Sequence, residues 1–196
     1  MKIPMPAAVL AGGASRRMGV SKTALPWGGM TLLEHQTGRL AELFTEVFVV
    51  GKEDSRFEAG PARILWDRSP QAAPIHGLVR ALEETKDHLF ALALDLPALS
   101  ADLIREIARR GLETRAPALL PEDKGVLQPL AAVWRRGILP LARDRIARGE
   151  LSLHGLAQAA GAEILRQEQW RALDSSGNSF ANLNTFEEYL AARERA

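Results

Sequence analysis

The chain has 196 residues, no cysteine and a formal charge of +1, with 46% hydrophobic and 25% charged residues. The lack of cysteine excludes disulfides, thiolate metal sites and cysteine nucleophiles, and the near-neutral charge argues against a nucleic-acid partner. The N-terminus is interrupted by Pro4 and Pro6 and does not read as a signal peptide, and no stretch approaches the roughly 18 apolar residues of a membrane span, so a cytoplasmic protein without a membrane partner is expected.

In chain order, the apolar run Ala7 to Ala11 ends at two glycines and reads as a buried strand. "TLLEHQTGRLAELF" places Leu32, Leu33, Leu40 and Leu43 at helical spacing behind Thr31, a candidate N-cap. "EVFVVG" and "ARILWD" are predicted strands, the second ending at Asp67. "PIHGLVRALEET" reads as a helix, and "HLFALALDLP" as a strand that carries Asp95 at its end. Ser100 is predicted to cap the helix "ADLIREIARRG", with Gly111 as its C′ residue. Beyond about residue 115, "APALLP", "PLAAVW" and "AEILRQ" suggest strands, and "GILPLARDRIARG" and "TFEEYLAARERA" suggest helices. Strands alternating with helices predict a single α/β domain, a Rossmann-like fold whose mostly parallel central sheet carries helices on both faces.

Ligands of open α/β sheets sit outside the carboxyl ends of the strands. A glycine loop at Gly12 and Gly13, Gly51, Asp67 and Asp95 all fall there by prediction. Glycines let backbone N–H groups face an anion closely, and Arg16, Arg17 and Lys22 add positive charge. Two common phosphate loops do not fit. Five residues separate Gly13 from Gly19, and Val20 follows, so the Walker A spacing fails; adjacent glycines break G-x-G-x-x-G. A solvated basic loop remains an alternative for these residues taken alone. An aspartate ending a buried strand is costly unless paired, hydrogen-bonded or on a metal, and Mg²⁺ favours one or two carboxylates with phosphates and waters. Taken alone, Asp95 and Asp67 could also be loop-capping acids.

The arrangement L-A-G-G-x-S-x-R-M-G-x-x-K over residues 10–22 resembles the signature of nucleotidyltransferases that use a nucleoside triphosphate. Within that group it most resembles the molybdenum cofactor guanylyltransferases, and the resemblance runs from residue 8 to about 190. It implies that Leu10, Ala11, Gly12 and Gly13 line the guanine and ribose site, that Arg17 and Lys22 face phosphates, and that Asp67 contacts the nucleotide. Arg16 falls on a variable position. The D-x-P segment at Asp95 resembles the family segment whose aspartate binds Mg²⁺, the implied cofactor. "APIHG" resembles the family's G-P-L-x-G with Pro74 and Gly77 retained and Ala73 in place of the first glycine, and His76 is given no role. "NLNTFEE" resembles N-x-N-T-P-E-E with Phe186 replacing proline, which implies that Asn182 and Asn184 face the acceptor or metal. Thr185 and Glu188 there also form a capping-box pattern. Gln128 and Pro129 resemble the pterin-side segment. Gly51 and Ser21 depart from the asparagine and aspartate common at those positions.

The implied reaction transfers GMP from GTP to the terminal phosphate of molybdopterin, the organic part of the molybdenum cofactor, and releases pyrophosphate. A single nucleotidyltransferase domain over 1–196 is implied, with a nucleotide-binding part at about 1–110 and an acceptor-binding, closing part at about 111–196. Other cofactor-biosynthesis proteins and recipient molybdoenzymes are the implied protein partners. The alternative is a cytidylyltransferase of the same fold acting on molybdopterin or a small alcohol phosphate; its loop usually reads L-A-A-G. A non-catalytic nucleotide-binding module is a third reading, disfavoured by the retained Asp95, Lys22 and glycine loop.

Overall fold

A computed structural model describes residues 1–11, 21–53 and 57–194. Gly12, Gly13, Arg16 and Arg17 therefore lie outside the described residues.

The chain opens with strand β1 (Ile3–Leu10), and a short hairpin follows, β2 (Pro26–Trp27) with β3 (Met30–Thr31). Its turn is Gly28 and Gly29, both at positive φ, where a side chain would be strained. Helix α1 (Leu32–Leu43) begins at the predicted cap: Thr31 Oγ1 accepts from the Glu34 N–H at 3.1 Å, and Glu34 Oε2 accepts from the Thr31 N–H at 2.7 Å. Next come β4 (Phe44–Lys52), β5 (Arg63–Asp67), α2 (Pro74–Glu83), β6 (His88–Ala93) and α3 (Ala101–Glu113). The second half supplies β7 (Ala118–Asp123), β8 (Val126–Leu127), β9 (Ala131–Arg135), α4 (Leu139–Ala147), α5 (Leu153–Ala160), β10 (Glu163–Leu165), α6 (Gln167–Trp170) and α7 (Phe186–Arg193).

The main sheet has the order β10-β7-β9-β6-β1-β4-β5, with β8 attached to β7. β1 runs parallel to both β4 and β6, β4 to β5 and β10 to β7, whereas β9 lies antiparallel between β6 and β7. This is the predicted mostly parallel α/β sheet. Pro4 and Pro6 are tolerated because β1 pairs only with β4 there, across a register irregularity between Ile3 and Pro6; pairing with β6 begins at Ala7.

Side chains alternate along β1 between two cores. Ala7 and Val9 pack with Leu33 and Leu40 of α1 and Ile104 and Ile107 of α3. Ala8 and Leu10 pack with Leu78 and Leu82 of α2, and with Leu139 and Leu156 of α4 and α5. The sheet is thus covered on both faces, as a parallel sheet requires. No helix among the described residues is long and apolar enough to cross a membrane.

Two expectations are corrected and one helix is added. Gly111 is not a C′ residue: α3 continues to Glu113 with Thr114 as its cap, and Gly111 lies where a Cβ would stand 2.5 Å from Val133 of β9. The glycine allows close helix–sheet approach instead of ending the helix. Asp95 does not end its strand, since β6 stops at Ala93 and Asp95 occupies the turn that follows. Finally, α5 went unpredicted although it has a Ser152 cap and Gly161 in the left-handed conformation at its end. Gly155 and His154 dilute its helical pattern.

Candidate active site

From β1 the chain passes through α1 to β4 and β5 on one side, then returns through α2 to β6 on the other. The edge between β1 and β6 is therefore the switch point of the sheet, where departing loops diverge and leave a crevice. Leu10 pairs in register with Ala93, so the segments leaving the two strands start side by side. The Ala11 N–H donates to Val50 O at 2.9 Å, which holds the backbone extended up to the glycine loop.

Two residues 73 apart in sequence meet in that crevice. Lys22, at the start of a short 3₁₀ turn (Lys22–Ala24), donates from Nζ to Asp95 Oδ2 at 3.0 Å. Their side chains are 21% and 24% exposed, so the pair faces solvent from a largely enclosed position. An ammonium beside a carboxylate at a parallel-sheet switch point can divide the charge of a metal–polyphosphate between them.

Asp67 lies further along the same edge. Lys52 and Asp67 are register partners on β4 and β5, and their side chains pair at 2.8 Å. Lys52 Nζ also donates to Ser69 O at 2.8 Å and Gln71 O at 3.1 Å, while Ser69 donates to Asp67 Oδ1 from Oγ at 2.6 Å and from its N–H at 2.9 Å. Burial pushes the Asp67 carboxyl up, but these donors outweigh it and hold the group below the ordinary aspartate value. Lys52 was not singled out from the sequence. Its only signal is its place one residue after Gly51, and reading that signal needs the strand register. Gly51 itself is filled from outside: a Cβ there would stand 2.7 Å from the Phe57 ring, so an asparagine at this position would collide with an aromatic neighbour.

The remaining candidates reach the same edge by three routes. Leu10 is 8% exposed and packs under Gly77 of α2, so the retained glycine sits over the end of β1. Gln128 and Pro129 precede β9, and because β9 is antiparallel its beginning lies beside the end of β6; Leu130 O accepts from the Ala93 N–H at 2.8 Å. Trp134 Nε1 donates to Pro129 O at 2.9 Å and braces that segment. Asn182 and Asn184 are exposed on either side of buried Leu183, whose N–H donates to Asp95 O at 3.0 Å. The two amides are thus beside the Asp95 turn and project outward. The predicted capping box also forms: Glu188 Oε2 accepts from the Thr185 N–H at 2.9 Å and the Asn184 N–H at 2.7 Å.

The carboxylate of Asp95 is a donor suited to a divalent cation. Among the described residues no three His, Cys, Asp or Glu side chains gather as a metal site. A single carboxylate with an open approach fits an ion that completes its shell with substrate phosphates and water.

Comparison with known proteins agrees with this architecture. A family model for the MobA-like NTP transferase domain matches residues 7–168. A probable molybdenum cofactor guanylyltransferase of Mycobacterium bovis is 35% identical over 188 residues, 93% of this chain and 92% of that one. The fold is similar to that of the molybdopterin-guanine dinucleotide biosynthesis protein A of Archaeoglobus fulgidus, with TM-score 0.85, 24% identity and coverage of 97% and 98% of the two chains. It is also similar to a 2-C-methyl-D-erythritol 4-phosphate cytidylyltransferase from Thermus thermophilus, with TM-score 0.72, 17% identity and coverage of 100% and 98%. With a crevice at the β1–β6 switch point, a lysine–aspartate pair within it and a family match over most of its length, the chain is a nucleotidyltransferase that belongs to the MobA-like NTP transferase family.

Proposed function

We propose that the protein transfers GMP from GTP to the terminal phosphate of molybdopterin, forming molybdopterin guanine dinucleotide and pyrophosphate. A terminal phosphate oxygen attacks the α-phosphorus of GTP, the new P–O bond forms, and the bond from the α-phosphorus to the bridging oxygen breaks as pyrophosphate departs. The attacking phosphate monoester is already anionic near neutral pH, so no strong general base is needed. Positioning and charge neutralisation then carry the rate.

The observation that carries this reading is the Lys22–Asp95 pair at 3.0 Å in the switch-point crevice. In the proposal Lys22 contacts the triphosphate, with Arg17 as a second cation from the loop, and Asp95 is the protein ligand for Mg²⁺. When bound, Mg²⁺ supplies charge neutralisation to the triphosphate and its leaving group. Leu10, Ala11, Gly12 and Gly13 would line the base and ribose, and Asp67, held by Lys52, would border the nucleotide site. Asn182, Asn184, Gln128 and Pro129 would form the acceptor side. The 35% identity to a probable molybdenum cofactor guanylyltransferase supports guanine as the base. In the proposal the protein works in the cytoplasm, with other cofactor-biosynthesis proteins and recipient molybdoenzymes as its partners.

The test is pyrophosphate release with molybdopterin and each nucleoside triphosphate in turn, on the parent protein and on Asp95→Asn. GTP is expected to be used in preference to CTP, and Asp95→Asn is expected to lose at least about 10²–10³-fold in turnover. The stability cost should be small, about 0–1 kcal/mol, because the pair is partly exposed. Near-normal turnover in that variant, or preference for CTP, would reject the proposal.

A further inference from the structure

The turn that carries Asp95 does little to hold its own shape. Its internal backbone bonds, Leu96 N–H to Ala93 O and Leu99 N–H to Leu96 O, are both long at 3.4 Å, and Pro97 has no N–H to give. Leu94, Leu96 and Leu99 are buried, so the carbonyls between them need partners from elsewhere.

Those partners come from two sides. From the C-terminal segment, the Leu183 N–H takes Asp95 O, and Ser179 Oγ accepts the Ser100 N–H at 3.3 Å. From α1, Arg39 reaches across: Nη1 donates to Pro97 O at 2.6 Å and Nη2 donates to Leu99 O. Gln36, one turn earlier and fully buried, directs its amide to Leu94 O at 3.5 Å and accepts from Arg39 Nη1 at 3.1 Å. The guanidinium donors thus go to carbonyl and amide oxygens. The planar fork serves the two carbonyls from two nitrogens held in one plane, one of which also meets the glutamine, whereas an ammonium would have to reach all three oxygens from a single atom.

We infer that Arg39 is a positioning residue of the nucleotidyl-transfer site, fixing through Pro97 O and Leu99 O the turn that presents the Asp95 carboxylate to the metal. In this role Arg39 acts through the backbone two and four residues after Asp95. The inference rests on the assignment of Asp95 as a metal ligand. It adds a second requirement, that a side chain of α1 sets the orientation of that ligand.

The experiment compares the full-length parent protein with Arg39→Met, Arg39→Lys and Asp95→Asn. Mn²⁺ binding is followed by electron paramagnetic resonance in the presence of an α,β-methylene analogue of GTP, and amide hydrogen exchange is measured over residues 93–100 without metal. Losing hydrogen bonds from a charged donor should weaken Mn²⁺ binding and speed exchange in this segment by about tenfold or more in Arg39→Met. Exchange in β4 should stay as in the parent. Arg39→Lys, which keeps the charge but offers its donors from a single atom, should fall between the parent and Arg39→Met, and it carries the test if Arg39→Met does not fold. Impaired Mn²⁺ binding in Asp95→Asn together with parent-like binding and exchange in the folded Arg39 variants would overturn this inference alone. Parent-like Mn²⁺ binding in Asp95→Asn would overturn the metal assignment of Asp95 and this inference with it.

Discussion

Replacing Gly111 with alanine should destabilise the protein, although the same change inside an exposed helix normally stabilises by about 1 kcal/mol. A Cβ at position 111 would stand 2.5 Å from Val133 Cβ and Cγ2 and 2.8 Å from Cγ1, about 1 Å closer than carbon atoms pack. Rotating the valine would move its methyls but not its Cβ. That atom is fixed to a strand paired with Phe90 of β6 on one side and Leu119 of β7 on the other. Helix α3 must therefore lift, loosening Ile104 and Ile107, which are fully buried against the sheet. Overpacking of this kind costs about 1–3 kcal/mol, and the immovable neighbour points to the upper half of that range. Less the helical gain, the net loss is about 1–2 kcal/mol, or a Tm lower by about 2–8 °C at this chain length. Gly38→Ala in α1 is the control, since nothing lies within 4 Å of its Cβ position, and it should gain up to about 1 kcal/mol. Urea unfolding followed by circular dichroism, with equal m-values checked, reads both. Val133→Ala should relieve Gly111→Ala only in part, because alanine keeps a Cβ at position 133. A Gly111→Ala protein as stable as the parent would refute the close-packing account of this glycine.

Lys22→Ala should weaken triphosphate binding and turnover together, read as a fall in kcat/KM for GTP of about tenfold or more; an unchanged value removes Lys22 from the site. Lys52→Met should raise the Asp67 pKa towards its ordinary value, because burial is then opposed only by the Ser69 donors, and should cost about 1–3 kcal/mol. Carboxyl-carbon NMR titration measures the first effect, and no upward shift would refute the brace. The His35 imidazole is pushed down to about 4, first by burial and then by Arg39. The unfolded chain therefore takes up this proton more readily, and stability should fall as pH drops from about 6.5 towards 4. His35→Gln should flatten that part of the Tm–pH profile, and an identical slope in both proteins would refute it.

Much of this protein is legible in its residues because the signals are local. Thr31 and Ser100 cap α1 and α3 as predicted, and apolar runs ended by glycine or aspartate give β1, β4, β5 and β6 their places. The spacing from Gly12 to Lys22, with the aspartates at 67 and 95, carries the nucleotidyltransferase resemblance without any coordinates. What fails locally is whatever depends on a distant neighbour. The pattern around Gly111 fits a helix end as well as a packing site, and only the approach of Val133 distinguishes them.

The sequence by itself determines most of the strand–helix alternation, the N-caps of α1, α3 and α7 and the chemical inventory of the crevice, because periodicity and capping are properties of a few adjacent residues. The tertiary structure decides which charges meet. Lys22 finds Asp95 because β1 and β6 are neighbours at a switch point, and Lys52 finds Asp67 because β4 and β5 pair in one register. Arg39 becomes a clamp because α1 lies against the turn after β6, a contact 58 and 60 residues away along the chain. Such pairings are set by sheet order and helix packing, which no local pattern encodes.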